Sequence, residues 1–271
     1  MDVPVHSASD PRLDDYRNIP DHELLERRGI FIAEGRMVVR RLLTRSRFAA
    51  RSVMVTGAAR HALADELDAG NRMPVYVVPQ ALMDGVAGFN IHRGCLAVGE
   101  RAQPAHWEAV VQEAQTILVL ERMANADNVG ALFRSAAAFG AGAVLLDAVS
   151  TDPLYRKAIR TSMGAALQVP FARAEPWPAA LDALRSAGFT LVGLTPTAVP
   201  TLAATSAALA GRRVALLLGH EGDGLSEPAL ASCDLLARIP MAPGVDSVNV
   251  ATAGAIALYE FSRERGLYST R

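Results

Sequence analysis

The sequence predicts an α/β protein: a C-terminal domain built on a parallel sheet, with a smaller α/β domain before it. Three observations predict it. TILVLE, GAVLLD and RVALLLG are short apolar runs without polar alternation, the pattern of strands covered on both faces. Helical stretches fall between most such runs, and strands alternating with helices imply a parallel sheet with helices on both sides. Hydrophobic residues make up 51% of the 271 residues and charged residues 20%, which is ordinary for a globular chain of one large domain or two modest ones.

Residues 1–20 are polar and contain prolines, and they read as a flexible lead-in. Asp21 is placed to cap a helix over DHELLERR, which Gly29 stops. FIAEG reads as a strand and GRMVVRRLLTRSRF as a helix whose Val38, Val39, Leu42 and Leu43 share one face. RSVMVTG is a strand, AARHALADELDAG a helix, MPVYVVP a strand, PQALMDGVAG a short helix and GCLAVGER a strand. Residues 21–105 therefore alternate β and α and form a small domain of their own. AQPAHWEAVVQEAQ reads as a linker with some helix, and residues 106–271 form the second domain. Its strands are TILVLE, GAVLLD, LQVPF, FTLVGLTP, RVALLLG and LLARIPM, and a helix over SVNVATAGAIALYEFSRERG ends it.

The net charge of −1 identifies no partner, because the arrangement of charge matters more than its sum. Lys157 is the only lysine and the other basic residues are arginines. A GC-rich genome explains that bias; so does phosphate recognition, which suits the planar guanidinium. Arg36, Arg40 and Arg47 flank one side of the Val38–Leu43 face, and Arg41 and Arg45 flank the other. With Arg51 they form a cluster without an acid between positions 36 and 51, either a solvated rim or a patch that tracks a phosphate backbone. Cys95 and Cys233 match no CxxC spacing and read as small buried hydrophobes in a reducing cytosol. No apolar signal core and no uncharged run near ~20 residues is present, so a cytoplasmic protein without a membrane span is expected.

In open α/β sheets ligands bind beyond the C-terminal ends of strands. Three strand ends here run abruptly into Gly, Asn, Ser or an acid: TILVLE into RMANADNVGALFR, VALLLG into HEGDGLS, and LLARIPM into APGVDSVNV. GHEGDGLS is either a glycine-rich turn with a solvated acid or a place where a ligand approaches backbone. It is not a dinucleotide fingerprint, since GxGxxG occurs nowhere, and His220 with Glu221 lacks the second histidine of a zinc site. No metal is expected. Asp246 or Ser247 is placed to cap the last helix, which puts Asn249, a poor helix former, in its first turn.

Taken together and in order, N-x-x-NVG-x-x-x-R-S-A-x-x-FG, LLLGHEGDGLS and IPM-x-x-x-x-SVNV resemble the three motifs of the SPOUT superfamily. More narrowly they resemble those of the SpoU/TrmH-type RNA 2′-O-ribose methyltransferases. The likeness spans residues 115–265, and FIAEGRMVVRRLL and IHRGCLAVGER resemble the small substrate-binding domain that many such enzymes carry in front. It implies S-adenosylmethionine as cofactor, a catalytic domain whose C-terminal part is threaded into a trefoil knot, a homodimer with the active site near its interface, and RNA as substrate, ribosomal before transfer RNA. By position it implies Asn128, Arg134, Glu221, Ser247 and Asn249 as catalytic. Leu194, Thr195, Gly219, Ile239, Met241 and Val248 would hold the cofactor, and Arg36, Arg40, Arg41, Arg45 and Arg47 would contact RNA. Arg134 would point into the pocket to hold a phosphate and orient the 2′-hydroxyl, with Glu221 orienting Arg134 or loop amides. Asn125 stands where the pattern usually has Asp, and Val248 where it has Leu. A self-protection enzyme acting on ribosomal RNA is a variant of the same class. A non-catalytic RNA-binding protein is the alternative that Arg134, Glu221 and Asn249 argue against, and a nucleotide-dependent oxidoreductase is disfavoured by the missing glycine fingerprint.

Overall fold

The computed structural model describes residues 2–69, 73–103 and 105–266. The chain divides into two units: the first runs up to Gln103 and adds Asp152–Gln168, and the second takes the stretch between them up to Thr151 and everything from Val169 on.

In the first unit the elements are β1 (Asp2–Pro4), α1 (Asp21–Arg27), β2 (Ile30–Glu34), α2 (Arg36–Arg45), β3 (Ala50–Val55), α3 (Gly57–Ala62), α4 (Ala64–Asp68), β4 (Val75–Val77), α5 (Gln80–Ala87) and β5 (Cys95–Glu100). Gly70, which ends the helix expected over residues 58–70, lies outside the described residues. The five strands form one sheet in the order β1-β4-β3-β5-β2, with β5 antiparallel to both its neighbours. Its core gathers Leu24, Ile30, Ile32, Met54, Leu96 and Val98. The N-terminal stretch differs from the loose segment expected. Asp2–Pro4 pairs in parallel with Val75–Val77, and Leu13 and Tyr16 are fully buried. Tyr16 shares a 2.6 Å hydrogen bond with Ser52. Val3, Leu13 and Tyr16 are too widely spaced among polar residues to give a periodic signal.

The second unit contributes α6 (Trp107–Val111), β6 (Thr116–Leu120), α7 (Ala126–Ala138) and β7 (Ala143–Leu146). Helix α8 (Arg156–Thr161) follows in sequence but belongs to the first unit. Its Arg156 amide donates to Asp21, and the next turn accepts an amide hydrogen bond from Arg47 at Leu167. The chain then forms β8 (Phe171–Arg173), α9 (Ala179–Ser186), β9 (Phe189–Leu194), α10 (Leu202–Ala208), β10 (Arg213–Leu218), α11 (Glu227–Ser232), β11 (Leu235–Ala237) and α12 (Val250–Glu264). LQVPF does not form the strand its apolar residues suggested: Leu167 ends a 3₁₀ turn and pairing starts only at Phe171.

All neighbours in the second sheet are parallel, in the order β11-β9-β10-β6-β7-β8. Leu118, Val119, Leu145, Leu216 and Leu217 are wholly buried, as strands covered on both faces require. The trefoil knot implied by the resemblance fits this sheet. Because the strands are parallel, the loops leaving β11, β9, β10 and β6 emerge side by side at one edge. Helix α12 lies against α7 with no room to spare: a Cβ on Gly254 would fall 2.3 Å from Leu132 Cδ2. Among the described residues no helix is long and apolar enough to cross a membrane.

Candidate active site

Strand β6 ends at Leu120, and the chain turns through Arg122 at φ 53°. The Asn125 side chain accepts from the Asp127 amide at 2.9 Å and so caps α7. An Asx cap is the role that position plays here, and it is one that Asp fills equally well. Asn128 follows in the first turn and is buried.

Strand β10 ends at Leu218 and enters the glycine loop at once. A Cβ on Gly219 would lie 2.1 Å from the Gly224 carbonyl carbon and 2.2 Å from the Leu225 nitrogen, so no other residue fits without moving backbone. His220 and Gly224 exchange backbone hydrogen bonds at 3.1 and 3.0 Å, and His220 Nδ1 accepts from the Gly222 amide at 3.1 Å. The loop is thus closed on itself with Glu221 in its bend.

The third segment corrects a sequence expectation. Neither Asp246 nor Ser247 caps α12; Asn249 does, its Oδ1 accepting from the amides of Ala251 at 2.9 Å and Thr252 at 3.4 Å. Asn249 is therefore not a misplaced helix residue. Its cap leaves Nδ2 free to donate to Asn128 Oδ1 at 3.1 Å, and Asn128 Nδ2 donates in turn to Glu221 Oε1 at 2.7 Å. A helix N-terminus offers only donors and a carboxylate only accepts. Both amide orientations are fixed by these two ends, and the three segments are joined in a single chain of hydrogen bonds.

Beside that chain lies a cavity of about 280 Å³ at the ends of β9, β10 and β11. Leu194, Thr195, Gly219, Ile239, Met241 and Val248, the six residues expected around a cofactor, all line it. Glu221 and Ser247 line it too. The adjacency of β11, β9 and β10 is what brings together residues 54 positions apart in sequence, from Leu194 to Val248. Pro196 and His220 also contribute walls; Pro196 carried no pattern of its own in the sequence, and His220 stood in the glycine-rich motif without an assigned role.

Two supporting residues were not anticipated. Glu121, 2% exposed, accepts from Trp177 Nε1 at 2.9 Å, from the Ser226 amide at 2.8 Å and from the Ser226 hydroxyl at 2.6 Å. It pins the point where the glycine loop becomes α11. Arg122 donates to the Gly224 carbonyl at 3.2 Å and braces the loop from beneath β6. The only sequence signal for either was an acid and an arginine directly after an apolar strand.

Arg134 is placed differently from the expectation. Six residues along α7 from Asn128, it sits about 120° around the helix. It is exposed, does not line the cavity, and makes no hydrogen bond or ion pair among the described residues. Glu221 is held by Asn128 instead. The arginine cluster on α2 is also divided. Arg40 is ion-paired with Glu66 and bonded to the Ala62 carbonyl at 3.1 Å, and the half-buried Arg41 donates to the Met163 carbonyl at 2.6 Å. Arg36, Arg45 and Arg47 are exposed, and their side chains have no partner among the described residues. Among the described residues no cluster of three or more His, Cys, Asp or Glu is placed to hold a metal ion.

A parallel α/β sheet whose neighbouring strand ends close three polar segments around one apolar pocket, carrying those motifs, defines a methyltransferase of the SPOUT class. The model of the SpoU rRNA Methylase family matches residues 115–259, and the chain belongs to that family. It is 42% identical over 266 residues to an uncharacterized tRNA/rRNA methyltransferase of Mycobacterium tuberculosis, covering 96% of this chain and 91% of that protein. It is 35% identical over 164 residues to another from Synechocystis, covering 60% of this chain and 59% of that one. The fold matches the AdoMet-bound rRNA methyltransferase of Sinorhizobium meliloti with a TM-score of 0.82 at 23% identity, over 97% of this chain and 98% of that one. It also matches the SpoU methyltransferase AviRb of Streptomyces viridochromogenes, in complex with the cofactor AdoMet, with a TM-score of 0.78 at 23% identity, over 94% and 99% of the two chains.

Proposed function

We propose that this protein transfers the methyl group of S-adenosylmethionine to a ribose 2′-hydroxyl of RNA, with ribosomal RNA as the target, in the cytoplasm and as a homodimer. The observation that carries the reading is the Asn249–Asn128–Glu221 hydrogen-bond chain beside the pocket. The pocket suits the cofactor. Leu194, Leu218, Ile239 and Val248 offer apolar surface, and Gly219 is stripped of side chain where backbone must come close. These residues, with Thr195 and Met241, would hold it. Bound there, the cofactor supplies an electrophilic methyl group on a sulfonium.

The chain's own residues then act on the sugar. Glu221 and Ser247 border the pocket, where the carboxylate would accept a hydrogen bond from the sugar and the hydroxyl would donate or accept one. Asn128 and Asn249, held in one orientation by their partners, keep Glu221 in place. Aligning the hydroxyl oxygen with the S–CH₃ bond supplies much of the rate; the methyl would leave a neutral thioether behind, and the hydroxyl proton would pass to solvent. Arg134 is exposed on another face of α7 and has no partner among the described residues, which supports a homodimer in which it serves the pocket of the other copy. A guanidinium stays charged, so holding the phosphate beside the target ribose is its role. The first unit, with exposed Arg36, Arg45 and Arg47, supplies further RNA contact.

Mass-spectrometric mapping of ribose methylation in RNA from cells with and without this protein tests the reading. One 2′-O-methyl mark on ribosomal RNA should disappear. Loss of a mark on transfer RNA would overturn the target, and loss of a base methylation would overturn the chemistry.

A further inference from the structure

The first unit contains a second cavity, of about 310 Å³, to which neither the methyl-transfer pocket nor the α2 arginines contribute. Asp21, Glu34, Phe89, Arg156, Lys157 and Arg160 line it. It joins the start of α1, the end of β2 and the basic helix α8, the helix that leaves its own stretch of sequence to pack in this unit. Lys157, the only lysine of the chain, is part of it.

Two of these side chains are incompletely satisfied. Glu34 Oε2 and Arg156 Nε are buried without a hydrogen-bond partner among the described residues. Their opposite charges stand off, Arg160 at 3.8 Å from Glu34 and Asp21 at 3.9 Å from Arg156, too far for hydrogen bonds. Buried polar atoms of native proteins are nearly always bonded. One unmet acceptor and one unmet donor on the walls of one cavity call for a ligand carrying both. The third feature is flat: Phe89 is 37% exposed, and the Arg156 guanidinium carbon lies 5.7 Å from its ring centroid. An aromatic ring beside a guanidinium is a platform on which a nucleobase stacks. At the mouth, Arg160 is 56% exposed and available to a phosphate.

We propose that this cavity binds one nucleotide with a guanine base: the base stacks on Phe89, its N–H edge donates to Glu34, its adjacent carbonyl oxygen accepts from Arg156, and Arg160 with Lys157 takes the phosphate. Guanine is preferred because it presents two adjacent N–H donors to a carboxylate, where the other bases present one donor beside an acceptor. The occupant as an unstacked nucleotide of the RNA substrate rests on the methyltransferase reading above; the cavity's chemistry does not.

The test is titration calorimetry of the full-length protein with GMP, UMP and ribose 5-phosphate. GMP should bind at least ten-fold tighter than the other two. Glu34→Gln should remove that advantage and leave ribose 5-phosphate unchanged, Phe89→Ala should weaken GMP and UMP alike, and Arg160→Ala should weaken all three. S-adenosylmethionine binding by each variant reports that the protein is folded. Competition with GMP by a guanine-containing single-stranded oligoribonucleotide assigns the site to RNA; GMP binding without competition assigns it to free nucleotide. GMP binding no tighter than ribose 5-phosphate, or indifferent to both Glu34→Gln and Phe89→Ala, overturns the proposal. A protein that binds GMP in this way yet methylates no RNA would overturn the methyltransferase reading instead.

Discussion

The Asn128 side chain donates to the Glu221 carboxylate at 2.7 Å across 93 residues of sequence. That bond ties the first turn of α7 to the bend of the glycine loop, and Asn249 extends it to the start of α12. Asn128→Ala removes both bonds and leaves Glu221 and Asn249, which are exposed, to water, so each lost bond costs ~0.5–1.5 kcal/mol. Methyl transfer should fall by roughly 10- to 100-fold in kcat/KM. Asn128→Asp should fall further, because two carboxylates then face one another. Steady-state rates for both variants decide it; an Asp variant faster than the Ala variant at neutral pH would show that Glu221 is not held in this way.

Gly219 is required by contact with backbone. The loop must turn back under β10 to pair His220 with Gly224, and the space a methyl group would take is already filled by the Gly224 carbonyl and the Leu225 nitrogen. Gly219→Ala should lose S-adenosylmethionine binding and lower stability by roughly 1–3 kcal/mol, the cost of overpacking. Gly222→Ala, where the nearest atoms are 3.5 Å away, serves as the control and should keep most of both. Calorimetry and thermal melts on the pair separate the two effects; equal behaviour would sink the argument.

Much of this was legible in the sequence. Apolar runs such as RVALLLG and TILVLE are strands because fully covered parallel strands need no polar face, and the six positions that the resemblance implied for the cofactor line one pocket. What was not legible depended on partners distant in sequence. The alternation of Ala, Leu and Val around LQVPF cannot tell a strand from a buried turn. Helix α8 looks like part of the parallel domain until Asp21 and Arg47 are seen bonded to it and to the turn that follows. Asn249 looked misplaced because a cap and a first-turn residue differ by one position, below the resolution of sequence patterns.

Burial raises both cysteine thiols from their ordinary value of 9.0, Cys95 to about 12 and Cys233 to about 11. Both are neutral thiols at pH 8, and thiolate is the reactive form. Native protein should resist iodoacetamide at pH 8 over minutes, and denatured protein should be alkylated at two sites. The linkage runs one way. As pH rises above about 9 the unfolded chain loses thiol protons that the folded chain keeps, so stability is present below pH 9 and falls as pH climbs towards 11–12. Cys95→Ala with Cys233→Ala should flatten that fall in chemical denaturation at pH 8 to 10; an unchanged slope would assign it to other groups.

Arg36, Arg45 and Arg47 differ from their neighbours Arg40 and Arg41, which are already engaged with Glu66 and with the Met163 carbonyl. If the exposed three meet RNA phosphates, each displaces counterions on binding. Changing all three to Gln should reduce the slope of log affinity against log salt by about 2, at ~0.7 per phosphate contact on single strands. Arg40→Gln should cost an exposed ion pair, on the order of 0–1 kcal/mol of stability, and leave the slope alone. Filter binding across a salt series reads both, and an unchanged slope in the triple variant would make the cluster a solvated rim.

Arg134 offers the sharpest separation of structure from chemistry. It makes no hydrogen bond or ion pair among the described residues and is exposed, so Arg134→Ala should change stability by less than ~0.5 kcal/mol. It lines no part of the cavity, so S-adenosylmethionine should bind the variant with unaltered affinity. Methyl transfer should nevertheless be abolished, because nothing else on that face of α7 carries a charge to hold a phosphate. If the arginine serves a second copy, mixing Arg134→Ala protein with Glu221→Ala protein should restore activity. Each variant lacks one half of the site, and a mixed dimer holds one intact pair. Up to half of the mixed dimers' sites would then work, and the recovered rate should depend on total protein concentration. A fully active Arg134→Ala enzyme would remove the arginine from the mechanism, and mixing without recovery would place both residues in the site of a single chain.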